Sequence, residues 1–126
     1  MEFQENSKPI YLQIVDRICA LIMDGTYAIG ARIPSVRDYA TSLQVNPNTV
    51  MRSYEYLSRE DVIYNRRGIG FFVCEGAIAN VRRLNSMTFF NGEIQQMFQR
   101  LNQLKITPAQ LNELYTKYLD AIDKKK

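Results

Sequence analysis

The spacing of apolar residues predicts that the chain begins with a helix and then changes pattern after a glycine. Between Pro9 and Gly25, apolar residues recur at helical spacing and form one stripe, made of Ile10, Ile14, Ile18, Leu21 and Ile22. Glycine accepts positive φ, so Gly25 is predicted to end this helix. A loop follows, and Arg32 and Ile33 leave room for only a short strand.

Two short helices separated by a tight turn are predicted next. Ser35, with Asp38 three residues later, resembles a capping box in which aspartate replaces the usual glutamate or glutamine. Asn46 before Pro47 marks a second helix start, because a residue before proline avoids the α conformation and proline is tolerated at the first helical position. The buried face of this third helix is predicted to be Val50, Tyr54 and Leu57.

A hairpin completes this first part of the chain. Two β-prone runs, residues 62–66 and 71–74, flank the sequence Arg67-Gly68-Ile69-Gly70, which is typical of a glycine-containing turn. A helix, a turn, a second helix and a hairpin in this order predict a winged helix-turn-helix. We therefore expect a mainly α fold with a small β-hairpin wing in residues 1–76.

Residues 77–126 have a purely helical pattern. Met87, Phe90, Ile94, Met97, Leu101 and Leu104 are spaced alternately by three and four residues, as in a coiled coil. Asn91-Gly92 interrupts this seam and predicts a kink or a break, and Thr107-Pro108 predicts a new helix start. This short tail has more large apolar side chains than isolated helices could bury. We therefore expect a two- to three-helix dimerisation domain that pairs with a second chain. Its predicted contact residues are Met87, Phe90, Ile94, Met97, Phe98, Leu101, Leu104, Leu111, Tyr115 and Tyr118. Packing of the tail onto its own winged domain is the alternative.

Composition excludes several classes of protein. The chain has no histidine, no phosphate-binding glycine loop and no convincing pair of nucleophile and base, so the sequence predicts neither an enzyme nor a metal or other cofactor. Cys19 and Cys74 lack the spacing of a zinc site and are predicted to be small buried hydrophobes. No apolar run is long enough to span a bilayer and no signal-peptide pattern is present, so we expect a cytoplasmic protein without a membrane partner.

Bulk charge alone does not identify the partner. The net charge is +3, but residues 1–76 contain eight basic and nine acidic side chains. A protein-interaction module that does not bind DNA is therefore the alternative function. The case for double-stranded DNA depends on where the arginines point, because a helix N-terminus in the major groove can read base edges while other donors hold phosphates.

The candidate DNA contacts lie on both helices of the helix-turn-helix and on the wing. Asn48, Thr49 and Arg52 could reach base edges, and free backbone amides near Asn46 could face phosphates. Arg37 would hold a phosphate or an adjoining base, and Gly68 would let the wing approach the minor groove. The full predicted set is Ser35, Arg37, Asn46, Asn48, Thr49, Arg52, Arg66, Arg67 and Gly68.

Residues 8–75 resemble the N-terminal domain of the GntR family of bacterial transcription regulators. The most specific motifs are GARIPSVRD at residues 30–38 and NPNTV at residues 46–50, supported by GIGFFV at residues 68–73. The NPNTV form and the short helical tail are similar to the YtrA subfamily. Among the predicted contacts, Arg37, Asn48, Thr49, Arg52 and Gly68 fall on positions that the family uses at DNA.

The resemblance implies a dimeric regulator, of repressor type, that binds a palindromic operator, often near genes for ABC transporters. Pro47 and Met51 stand where many family members have arginine, and Ile69 occupies a wing-tip position that is often basic. About fifty residues follow Gly76, too few for a generous enclosed pocket. The effector therefore stays unknown, and sensing would use the dimer interface or the interdomain hinge.

Overall fold

The computed structural model describes residues 8–124 and confirms the predicted fold class. The chain forms two compact units: the first ends at Leu84, and the second begins at Asn85. The elements in chain order are α1 (Ile10–Met23), α2 (Val36–Leu43), α3 (Pro47–Arg59), β1 (Ile63–Arg66), β2 (Gly70–Val73), α4 (Ala77–Asn91), α5 (Glu93–Gln103) and α6 (Pro108–Asp123).

Capping side chains determine where the two helices of the helix-turn-helix begin, as predicted. The Ser35 hydroxyl accepts a 3.1 Å hydrogen bond from the Asp38 amide at the start of α2. At its end, Gln44 adopts the left-handed conformation with φ 57°, and the Val45 amide donates to the Ala40 carbonyl. This closes α2 within one residue and leaves room for only a tight turn before α3.

Tyr54 is the centre of the core of the first unit. Its side chain is fully buried, and its hydroxyl donates a 2.6 Å hydrogen bond to the Pro34 carbonyl, just before α2. The Phe71 ring of β2 meets the Tyr54 ring edge-on with 4.9 Å between centroids. One side chain of α3 therefore contacts both the start of α2 and the wing. Around it are buried Ile14, Ile18, Ile22, Ile33, Val50, Leu57, Val62, Ile63 and Val73.

The wing is a two-stranded antiparallel hairpin extended by the short strand that the sequence predicts. Ile63 pairs with Val73 and Arg66 with Gly70. Arg32 forms an isolated antiparallel bridge with Phe72, and the Ile33 amide donates to the Phe71 carbonyl at 2.9 Å. The hairpin is therefore joined to the segment that leads into α2.

The start of α4 belongs to the core of the first unit. Ala77 and Val81 are fully buried there, and the Asn80 side-chain amide donates to the Asp61 carbonyl. The boundary between a DNA-binding domain and a dimerisation domain at Gly76 stays a prediction. The first compact unit of the structure extends further, to Leu84.

The second unit has a broken helix and a capped one, and no side chain of residues 85–124 is buried. The predicted interruption is confirmed: α4 ends at Asn91, and Gly92 has φ −126° and ψ −84°. A capping box starts α6, because the Gln110 amide donates to the Thr107 hydroxyl while the Gln110 side chain accepts from the Thr107 amide. Within residues 8–124, no helix combines the length and the apolar content that crossing a bilayer requires.

We expect the folding stability to fall in alkaline solution because a thiol and a phenol are buried in the core. Burial, assisted by the charge of Asp16, raises the pKa of the Cys19 thiol to about 11, and burial raises the pKa of the Tyr54 phenol. In the unfolded chain these groups titrate at roughly 8.5 and 10. The unfolded chain therefore binds fewer protons at alkaline pH, and the free energy of unfolding decreases as pH rises. We expect the urea midpoint to fall progressively between about pH 9 and pH 11.

Cys19→Ala provides the control for that titration, because it removes the thiol and leaves Tyr54. Its urea midpoint should decline less steeply over the same pH range than that of the unchanged protein. Equal slopes for the two proteins would show that Cys19 makes no contribution to the alkaline loss.

Candidate nucleic-acid interface

The structure brings three of the predicted contact residues together at the N-terminal half of α3. Asn48 and Arg52 are exposed and Thr49 is half-buried. With the first turn of α1 they line a surface depression of about 370 Å³. The Arg52 guanidinium lies over the Tyr11 ring, with Cζ 3.9 Å from the ring centroid. An amide, a hydroxyl and an arginine fork therefore share one surface, which is the donor and acceptor set that reads base edges.

One part of the predicted chemistry at the start of α3 is wrong. The amides near Asn46 are not free, because the Asn46 side chain accepts a 2.8 Å hydrogen bond from the Asn48 amide. The Asn46 carbonyl also accepts from the Thr49 amide at 3.0 Å. The Asn48 and Thr49 amides, which the sequence predicts to face phosphate, are therefore already hydrogen-bonded to Asn46.

The start of α2 presents a cation beside its cap. Ser35 is half-buried and its hydroxyl already accepts from Asp38, whereas Arg37 is exposed. Within residues 8–124 the salt bridges are Lys8–Asp16, Glu60–Arg83 and Glu113–Lys117, so the Arg37 guanidinium has no carboxylate partner there.

The wing places two predicted arginines at a tight turn. The Ile69 amide donates to the Arg66 carbonyl at 2.9 Å, and Gly68 has φ +79°, which glycine accepts without strain. Arg67 is exposed. Arg66 is exposed as well, and its guanidinium lies over the Phe72 ring, with Cζ 5.4 Å from the ring centroid.

Arg32 lies beside the wing that carries Arg66 and Arg67, although the sequence did not predict Arg32 as a DNA contact. A Cβ atom on Gly70 would lie 2.8 Å from Arg32 Nε, and Gly70 has φ +145°. The backbone conformation at position 70 therefore favours glycine, and a side chain there would also displace the exposed Arg32 guanidinium from its present place. The pairing of Arg32 with Phe72 is non-local, and no spacing along the chain reveals it.

These features define a winged helix-turn-helix protein of the DNA-binding type. The chain belongs to the GntR family: the family model described as "Bacterial regulatory proteins, gntR family" matches residues 10–73.

Two curated relatives from Bacillus subtilis (strain 168) agree with this assignment. The uncharacterised helix-turn-helix regulator YhcF is 42% identical over 73 residues, which are 58% of this chain and 60% of YhcF. The transcriptional repressor YtrA is 36% identical over 101 residues, covering 80% of this chain and 72% of YtrA. The predicted resemblance to YtrA is thereby confirmed. Since the family and these relatives are regulators, the prediction that the chain is not an enzyme is confirmed as well.

A solved structure extends the similarity into the tail. The crystal structure of a putative GntR-family transcriptional regulator from Bacteroides thetaiotaomicron is 46% identical, with a TM-score of 0.78. The match covers 90% of this chain and 98% of that chain, so it includes helical segments beyond the winged domain.

Proposed function

We propose that this protein is a homodimeric repressor that binds a palindromic operator in double-stranded DNA. The observation that carries the proposal is the exposed group of Asn48, Thr49 and Arg52 on one surface of α3. Arginine pairs through two hydrogen bonds with guanine and asparagine with adenine. These side chains can therefore specify sequence, while Arg37, Arg66 and Arg67 hold the flanking backbone and Gly68 lets the wing approach the minor groove.

The distribution of charge in the first unit supports DNA rather than a protein partner. Residues 1–76 are nearly neutral overall, but Asp16 is paired with Lys8 and Glu60 with Arg83. In the part of the chain that the structure describes, Arg37, Arg52, Arg66 and Arg67 have no carboxylate within salt-bridge distance. The neutral total therefore conceals cations that are available to phosphates and bases.

The tail supports the dimer. All ten residues predicted for dimerisation are half-buried or exposed in the single chain, so a second copy could bury them. Two linked readers gain affinity through effective concentration, and a two-fold protein matches half-sites about 34–36 Å apart. Repression follows if the bound dimer excludes RNA polymerase, and YtrA is a repressor by name. We extend the proposal to a cytoplasmic protein that controls an ABC-transporter operon on the subfamily resemblance alone.

Selection from a randomised pool of duplexes tests the proposed function, because the protein itself then identifies the operator sequence. The wild-type protein should enrich an inverted repeat, and a gel-shift assay should show tighter binding to that duplex than to a scrambled duplex of equal composition. No enrichment, together with no duplex binding at low salt, would favour a protein-interaction module instead.

Arg37→Ala is expected to weaken binding to the selected and scrambled duplexes to a similar degree. Each lost phosphate contact removes about one counterion from the binding equilibrium. The slope of log K against log salt should therefore become shallower by about 1 for each protomer. Titrations at several salt concentrations measure this slope.

Arg59→Ala is the matched control for that slope, since Arg59 is an exposed arginine at the far end of α3, beside the Tyr56 ring. It should leave the slope unchanged. If Arg37→Ala changes discrimination between the duplexes but not the slope, Arg37 contacts a base rather than a phosphate.

A further inference from the structure

We infer that Tyr11 is a positioning residue that presents the Arg52 guanidinium for base recognition. This inference deepens the proposed function, because it rests on Arg52 as a reader of operator bases. Tyr11 lies on α1, outside the helix-turn-helix segment. Its half-buried ring lies under the Arg52 guanidinium at 3.9 Å, and both residues line the depression that Asn48 and Thr49 share.

The Tyr11 ring is well placed to orient Arg52 without occupying its donors. A guanidinium carries its five N–H groups in its own plane, and a ring beneath it engages only the flat face. A carboxylate partner would instead occupy the N–H fork that pairs with guanine. No described carboxylate lies within salt-bridge distance of Arg52. The arginine is therefore held in place while its recognition edge stays available.

A buried hydrogen bond fixes Tyr11 relative to α3. The Ser53 hydroxyl donates to the Tyr11 carbonyl at 2.7 Å, and Ser53 is fully buried. Ser53 directly follows Arg52 in the chain, so the bond sets the register of α1 against the residue that it supports. A serine on the buried face of a helix otherwise costs free energy, because its polar group leaves water. The Ser53 hydroxyl also lies 3.2 Å from the Thr49 carbonyl on its own helix, and the shorter bond to the Tyr11 carbonyl is the one that links α3 to α1.

Binding measurements on four variants test the inference. Tyr11→Leu removes the ring but keeps an apolar side chain, and Tyr11→Phe keeps the ring. Arg52→Ala, alone and combined with Tyr11→Leu, completes a double-mutant cycle. The measured quantity is the ratio of affinities for the duplex that the wild-type protein selects from a randomised pool and for its scrambled counterpart.

We expect Tyr11→Leu to lower this ratio about fivefold or more in the wild-type background. In the Arg52→Ala background the same substitution should change the ratio by less than about twofold, since the group it positions is gone. Tyr11→Phe should restore discrimination to within about twofold of wild type. If Tyr11→Leu lowers this ratio by the same factor in both backgrounds, Tyr11 does not act through Arg52, and the inference would be overturned.

Nuclear magnetic resonance of the free protein provides a readout that does not depend on DNA. The Arg52 side-chain Nε–H proton should show an upfield ring-current shift in wild type and in Tyr11→Phe, and this shift should vanish in Tyr11→Leu. An unchanged shift in Tyr11→Leu would show that the ring does not hold Arg52 in solution, and the inference would be wrong.

The outcomes separate this inference from the proposed function. If Arg52→Ala abolishes discrimination while Tyr11→Leu retains it, only the positioning role of Tyr11 is wrong. If Arg52→Ala itself retains discrimination, the base-reading role of Arg52 is wrong, and the role of Tyr11 in recognition is wrong with it.

Discussion

Arg52→Ala should reduce affinity for the selected operator by roughly 30-fold or more, and affinity for a scrambled duplex by less than about threefold. A two-pronged arginine–guanine pair contributes about 1–3 kcal/mol of discrimination, and a dimer makes the contact twice. Phosphate contacts dominate binding to the scrambled duplex, and Arg52 is not needed for those in the proposed arrangement. Fluorescence anisotropy titrations with both duplexes at one salt concentration measure the two losses.

Arg52→Lys separates charge from geometry in the same assay. Lysine keeps the positive charge but lacks the planar fork, so it should rescue little of the lost discrimination if Arg52 reads a base. Full rescue by lysine, or equal losses on both duplexes for Arg52→Ala, would assign Arg52 to the phosphate backbone. Arg59→Ala again serves as the matched arginine control and should leave both affinities close to those of the unchanged protein.

The sequence predicted the local features of the fold because caps and turns depend on neighbouring residues. Ser35, Asn46 and Thr107 each start a helix where the sequence placed it, and each side chain makes the hydrogen bond that its position implies. The break at Gly92 follows from a similarly local cause, the low helix propensity of glycine.

Non-local contacts could not be read from spacing. The bond between Ser53 and the Tyr11 carbonyl joins residues 42 positions apart, and a serine on a helix gives no sign of a partner on another helix. The approach of Arg32 to Gly70 likewise depends on sheet register. As a result, the sequence predicted Arg52 as an exposed candidate contact, but it predicted neither the Tyr11 ring beneath it nor the additional arginine, Arg32, beside the wing.

At the start of α3 the sequence predicted both a cap and free amides, and these two predictions are incompatible. The sequence predicts Asn46 as the cap. A capping side chain accepts hydrogen bonds from the same backbone N–H groups that an uncapped helix end would offer to an anion. The two expectations, a capped helix and free amides, compete for the same N–H groups. The structure shows that the Asn46 cap forms, so the Asn48 and Thr49 amides are already hydrogen-bonded within the protein.

The apolar surface of the tail leads to the second large expected effect. Phe90 is 57% exposed and Tyr118 is 64% exposed in the single chain. Burying a large apolar side chain contributes about 1.5–3 kcal/mol, so burying several such residues from each chain would offset the free-energy cost of association. Large exposed apolar patches on a single chain mark interaction sites, and these exposed side chains are the candidates for such a patch in the tail.

If the proposed dimer forms through the tail, the double variant Phe90→Glu/Tyr118→Glu should be monomeric and should bind the operator about 10²–10⁴-fold more weakly. Both side chains are exposed in the single chain, so their replacement should leave the fold of each chain intact, as measured by circular dichroism. Affinity for a duplex that carries one half-site should stay nearly constant, because one protomer suffices there. Sedimentation equilibrium measures the mass, and titrations with full-site and half-site duplexes measure the two affinities.

Asn85→Glu/Thr116→Glu is the charge-matched control, since it adds two carboxylates to exposed polar positions of α4 and α6. It should remain dimeric and bind the full operator as the unchanged protein does. If both double variants lose operator affinity equally, added negative charge repels the DNA and the tail is not responsible. If the Phe90→Glu/Tyr118→Glu variant is still dimeric, these side chains do not form the interface. A monomer that retains full operator affinity would instead show that pairing through the tail is not what links the two readers on DNA.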